Sequence, residues 1–225
     1  TDMGVNRAGF AITDDEITRE AAKQEILRRF FRYRCEYAMG FADKETVQRV
    51  ELFTNDFNLR PEDRRVVTPA RQAAIEALEK NRGNEGIFCG AAIELHDGTM
   101  ITGNNSPLMH AASSVVIHAL KHLADIPDKI KLLPPNITDS IRRLKTEMLE
   151  EKNVSLDLEE ALIALSISAT TNPAAELALE KLKDLQNCEV HMTHIPTPGD
   201  EAGLRRMGVN LTSDPNFSTN DLFIT

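Results

Sequence analysis

Three cysteines in 225 residues, Cys35, Cys89 and Cys188, are odd in number and far apart, and no C-x-x-C pair occurs. That excludes a disulfide framework and leads to the expectation of reduced thiols in a cytoplasmic compartment. No apolar run approaches the roughly 20 residues needed to cross a bilayer, so membrane insertion is not expected. The net charge of −9 opposes attraction to a phosphate backbone, which argues against nucleic acid as a partner of the chain as a whole. Neither G-x-x-x-x-G-K-[ST] nor G-x-G-x-x-G is present, and there is no G-x-S-x-G elbow. Gly83-Asn84-Glu85-Gly86 carries an acid and leads into a strand, where a phosphate cradle would need converging N–H groups at a helix start. The chain opens on Thr1-Asp2-Met3-Gly4-Val5-Asn6 and so reads as a piece of something longer. With no leader, the Asn-x-Ser/Thr triplets at Asn104, Asn136, Asn153, Asn210 and Asn216 carry no expectation of glycans.

What is present is ordinary for a soluble globular protein: 41% hydrophobic and 27% charged residues, enough to bury a sizeable core without a staple. Residues 1–82 read as a helical segment. A capping box at Thr13-Asp14-Asp15-Glu16 opens a helix that stops at Gly40, a second helix starts at Asp43, and a third starts at Thr68-Pro69. Residues 83–225 read as an α/β/α domain. Apolar alternation from Ile87 to Leu95, a turn at Asp97-Gly98 and a strand from Met100 predict a hairpin. A helix over 111–123, a short third strand over 130–133, and helices over 138–151, 157–170 and 173–185 come next. A fourth strand over 188–195, a short helix capped by Asp200, and a fifth strand over 209–212 complete the pattern. The expected fold is therefore a three-layer α/β/α domain with a mixed five-stranded sheet, preceded by a helical segment, in the element order of the cytidine-deaminase-like fold.

In deaminases of that plan, His- or Cys-x-Glu after the hairpin and Pro-Cys-x-x-Cys after the third strand bind zinc. The comparable positions here are His110-Ala111-Ala112 and Pro135-Asn136-Ile137-Thr138-Asp139. An imidazole, an amide and a carboxylate make a poor zinc site, because Zn²⁺ favours nitrogen and sulfur donors, and no metal or other cofactor is expected. His110, Asn136 and Asp139 stand as candidate catalytic residues. Asn104 and Asn105 after the hairpin, and Arg28 and Arg29 in a basic cluster with Arg32 and Arg34, stand as candidate ligand contacts. His118 and His122 are four apart but lack the general base of H-E-x-x-H, since Ala119 stands in its place. His191 and His194 point to opposite faces of a strand and are given no catalytic role. Pro198-Gly199-Asp200-Glu201 reads as a helix start with first-turn acids.

Gly9-Phe10-Ala11-Ile12-Thr13-Asp14-Asp15-Glu16, Ile101-Thr102-Gly103 before Asn105-Ser106, and Gly208-Val209-Asn210-Leu211-Thr212 before Asp214-Pro215 join the opening hexapeptide in resembling the bacterial DUF1846 (UPF0371) family. The resemblance covers essentially the whole chain. It implies the C-terminal part of a protein about twice as long, whose other half carries a glycine-rich, phosphate-loop-like segment, and it supplies no reaction.

The leading functional expectation is a module that is non-catalytic alone. It would pair with a nucleotide-binding N-terminal half of the parent and supply subunit contacts in a homo-oligomer or one wall of a shared ligand cleft. The alternative is a hydrolase-type enzyme with a degenerate deaminase-like site at His110, Asn136 and Asp139.

Overall fold

A computed structural model describes residues 15–218. The chain divides into two compact units, Thr1–Arg64 and Arg65–Thr225. In the first, α1 (Asp15–Ala38) packs against α2 (Lys44–Asp56), and a 3₁₀ turn covers Pro61–Asp63. The capping box expected at Thr13-Asp14-Asp15-Glu16 begins outside the described residues. After α1, Gly40 sits at φ +80°, a left-handed stop that costs glycine nothing. At the start of α2, the Asp43 carboxylate accepts the Thr46 N–H at 2.7 Å, as a cap does.

The second unit begins with α3 (Val67–Glu79), then the hairpin β1 (Gly90–Glu94) and β2 (Met100–Asn104), and α4 (Ala111–Leu123). Next come α5 (Pro135–Arg143), running into a π-helical turn over Leu144–Met148, then α6 (Leu158–Ala169) and α7 (Pro173–Glu180), which passes into a 3₁₀ turn over Lys181–Leu185. β3 (Glu189–Met192), α8 (Pro198–Arg206) and β4 (Asn210–Ser213) complete it. α3, which the sequence places in the helical segment, packs on the sheet of this unit.

Among the described residues the sheet has four strands in the order β2-β1-β3-β4, with β1 antiparallel to both β2 and β3 and β3 parallel to β4. Helices cover both faces. Ala92 packs with Val66 and Ala70 at the start of α3, while Ala91 and Ile93 join the main core with Val115, Leu120 and Leu204 of α4 and α8. Two glycines allow this close approach. A β-carbon on Gly90 would lie 2.2 Å from the Ala70 carbonyl oxygen, and one on Gly103 would lie 2.4 Å from the Val115 nitrogen.

The expected mixed α/β architecture is present, but the five-stranded sheet and the deaminase-like order are not. Residues 130–133 form no strand. Leu132 and Leu133 are buried in the core as the pattern implies. The run is boxed in by Pro127 and by Pro134-Pro135, however, and the Lys131 carbonyl accepts a hydrogen bond from the Asn172 side chain rather than from a neighbouring strand. Apolar content was enough to bury Leu132 and Leu133 and not enough to pair the run. Without that strand, β1 neighbours the later strand β3, and the two run antiparallel.

Candidate functional site

Three helix starts converge near the segment that follows β3. Asp157 caps α6 in a reciprocal box with Glu160. Thr197 caps α8, with Pro198 in its first turn. His110 occupies the cap position of α4, held there by its own N–H on the Leu156 carbonyl at 2.8 Å and by Ser113 Oγ on the same carbonyl at 3.0 Å.

Asp200, in the first turn of α8, ties the three together. Its carboxylate is wholly buried and accepts from the Leu158 N–H of α6 at 2.9 Å, from Thr197 Oγ1 at 2.8 Å, and from His110 Nδ1 at 2.8 Å. The first is a free N–H of a helix start, which favours an anion, and the second is the hydroxyl that caps α8. Gly199 permits the approach, since a β-carbon there would lie 2.1 Å from the Asp157 carboxylate.

The other nitrogen of His110 is fixed as well. Asn153 Oδ1 accepts from the Ser155 N–H at 3.1 Å and from Ser155 Oγ at 2.7 Å, so Asn153 presents its Nδ2 donor to His110 Nε2 at 3.1 Å. A nitrogen facing a donor must accept. His110 is therefore the neutral tautomer with its proton on Nδ1 and a lone pair on Nε2. Burial favours this neutral form, yet the hydrogen bond and charge of Asp200, with the charge of Asp157, outweigh burial and the opposing Lys145, and raise its pKa above the ordinary 6.5.

Three further groups complete the surroundings. Lys145, on the π turn, is buried and donates to Glu160 at 2.8 Å and to the Ser155 carbonyl at 3.2 Å. His194, just after β3, is buried with no hydrogen bond at Nδ1. Burial lowers its pKa to about 4, against the pull of Asp200 and with the push of His110, so it stays neutral. Cys89 is buried ahead of β1, and burial together with the Asp200 charge pushes its thiol up to about 12, which removes it as a nucleophile near neutral pH.

Of the candidates named from sequence, His110 lies at this centre. Asn136 and Asp139 lie on the exposed first turns of α5, and among the described residues no hydrogen bond or ion pair joins either to His110. Asn104 and Asn105 fasten backbone. Asn104 donates to the Arg82 carbonyl at 2.9 Å, while buried Asn105 accepts from the Cys89 N–H at 2.8 Å and donates to the Ile87 carbonyl at 2.9 Å. Arg28 and Arg29 lie in the first unit and both reach Glu25, at 3.3 and 3.0 Å. Exposed His118 donates from Nδ1 to the Thr102 carbonyl. Among the described residues no group of three or more His, Cys, Asp or Glu side chains is arranged to hold a metal, and no helix is long and apolar enough to cross a membrane.

Sequence reasoning missed the partners of His110. Asp200 was read only as a helix-start acid and Asn153 only as part of an Asn-x-Ser triplet. The usable signal was Thr-Pro-Gly-Asp, a cap and proline followed by a glycine that leaves room for a neighbouring helix start.

Residues 62–223 match the profile described as "Domain of unknown function DUF1846, C-terminal", and residues 1–58 match its N-terminal counterpart. A "UPF0371 protein" of Clostridium botulinum (strain Alaska E43 / Type E3) is 47% identical over 223 residues, covering 99% of this chain and 44% of the relative. The "UPF0371 protein" of Clostridium botulinum (strain Kyoto / Type A2) is 47% identical over 224 residues, with the same coverage. The chain thus spans less than half the length of these relatives.

Proposed function

Because the chain belongs to the DUF1846 family and covers 44% of the length of its relatives, we propose that it forms one wall of a ligand cleft whose other wall is a nucleotide-binding portion of the parent protein. His110 is the acid–base group of that wall. One observation carries the reading: a half-buried imidazole has its Nδ1 proton committed to a buried carboxylate and its Nε2 lone pair turned away from it. An imidazole so held exchanges its proton through Nε2, and the carboxylate stabilises its cation, the form that donates to a group placed there. The nucleophile, and the donors that would stabilise developing charge, are left to the other wall. The chain alone is catalytically incomplete in this reading.

Native mass spectrometry of the full-length parent and of this chain, each offered ATP, GTP, Mg²⁺ and Zn²⁺, tests it. The full-length protein is expected to retain a nucleotide that the chain alone does not, and His110→Ala is expected to abolish any turnover of that nucleotide while leaving the fold intact. Equal retention by the isolated chain, or full turnover by the variant, would contradict the shared cleft.

A further inference from the structure

The geometry points to a proton-operated plug on this site: the Asn153 carboxamide closes His110 Nε2 while the imidazole is neutral, and is expelled when Nε2 takes up a proton. The inference rests on the reading of His110 as the group through which the cleft works, and it goes beyond that reading by naming what guards the nitrogen.

Asn153 is exposed, on the loop between the π turn and α6, and its amide is oriented by both donors of Ser155. Against neutral His110 this places an N–H on a lone pair. Once Nε2 is protonated, the same placement sets N–H against N–H, and two donors with no acceptor between them repel. Turning the carboxamide over would offer Oδ1 to the imidazolium but would leave the Ser155 N–H facing an amide NH₂. That sets two N–H donors in contact, the same clash moved from the imidazole to Ser155. Expulsion of the exposed Asn153 side chain removes both clashes and opens the place it leaves to water, which can accept from the Ser155 N–H and from the imidazolium.

The segment is built to move at one point and hold at the others. Lys145 grips it from both sides, donating to the Ser155 carbonyl and pairing with the Glu151 carboxylate at 3.2 Å. The Glu151 N–H is also bonded to the Lys145 carbonyl. Residues 152–154 span the gap between these anchors.

The charges around the imidazole set where it switches. Asp200 of α8 and Asp157 at the start of α6 favour the cation, and Lys145 opposes it with its own charge shared between Glu151 and Glu160. His194 after β3 and Cys89 before β1 both stay neutral near pH 7. The balance favours the cation, so the plug opens as pH falls past a point above the ordinary imidazole value of 6.5.

Nitrogen-15 NMR of the 225-residue chain between about pH 8 and about pH 5 tests this directly. The amides of residues 152–155 and the Asn153 side-chain amide are expected to shift with one midpoint, the same as that of the His110 ring. Asn153→Ala, on an exposed loop, is expected to remove the loop transition and to move the His110 midpoint upward, because the neutral form loses a donor. His110→Gln is expected to leave the loop silent across the range. A loop that stays still while His110 titrates, a loop transition that survives His110→Gln, or a His110 midpoint unmoved by Asn153→Ala would each overturn the plug. No ligand is read in this experiment, so its failure is separable from a failure of the shared cleft.

Discussion

His110 and Asp200 are 90 residues apart in sequence and share one proton at 2.8 Å. The carboxylate that accepts this hydrogen bond is wholly buried among helix starts, which makes the pair a fixed feature rather than a surface contact.

Asp200→Asn removes the charge that holds the His110 proton. Burial is then the dominant influence on the imidazole, so its midpoint is expected to fall below 6.5, the reverse of the native direction. Three donors also lose a full negative partner. Loss of about 3 kcal/mol of stability is expected by urea denaturation, the lower end of what breaking a buried pair costs.

His194 titrates at about 4 when folded and at 6.5 when unfolded, so the unfolded chain binds the extra proton first. Its stabilising contribution is complete above pH 6.5 and is lost as pH falls from there towards 4. The loss from this group is expected to be about 3 kcal/mol. His194→Gln should flatten that part of the stability curve, as measured by denaturant midpoints across the window. A curve unchanged in slope would show that the imidazole gains its proton without leaving the fold.

Arg71 of α3 grips Asp214, just past β4, with two hydrogen bonds of 2.7 and 3.0 Å, and His191 lies 3.5 Å from the same carboxylate. Burial alone would raise the Asp214 pKa, but the neighbouring His191 and the Arg71 guanidinium hold it well below the usual carboxylate range. A depressed carboxylate stabilises above its unfolded value of 3.8 and loses that contribution as pH falls below it. Arg71→Ala is expected to cost about 2 kcal/mol at neutral pH, the scale of hydrogen bonds to a charged group, and to make acid unfolding less steep. Chemical denaturation at neutral pH and at about pH 3 checks both.

Gly103→Ala places a methyl group 2.4 Å from the Val115 nitrogen, backbone that has nowhere to go while α4 remains on β2. An overpacking cost of about 3 kcal/mol, seen as a lower thermal midpoint, is expected. A neutral outcome would mean that α4 lifts from the hairpin at little cost.

Much of the fold was legible because local signals agreed. The Asp97-Gly98 turn, the Asp43 and Asn172 caps and the apolar stripe of α4 each point to the element that forms. Residues 130–133 show where this stops. An apolar run reports burial, and whether it pairs is decided by prolines and by Asn172, the cap of a helix 41 residues on from Lys131. The site followed the same division. His110 was visible because a helix start after a hairpin is a local event, whereas Asp200, Asn153 and His194 reach it only through tertiary packing, and a side-chain spacing along the chain holds no record of that. His194 is the plainest case. Strand alternation would set it on the face opposite His191, but the strand ends at Met192, and the bend that follows brings His194 within the influence of Asp200.

The central claim is that His110 keeps its proton on Nδ1 and offers Nε2 as an acceptor, and long-range proton–nitrogen NMR of the histidine rings at about pH 8 reads this directly. The His110 ring is predicted to show a protonated Nδ1 and an unprotonated, hydrogen-bonded Nε2, and Asp200→Asn is predicted to loosen that preference. A proton found on Nε2 in the native protein, with Nδ1 bare towards Asp200, would contradict the account.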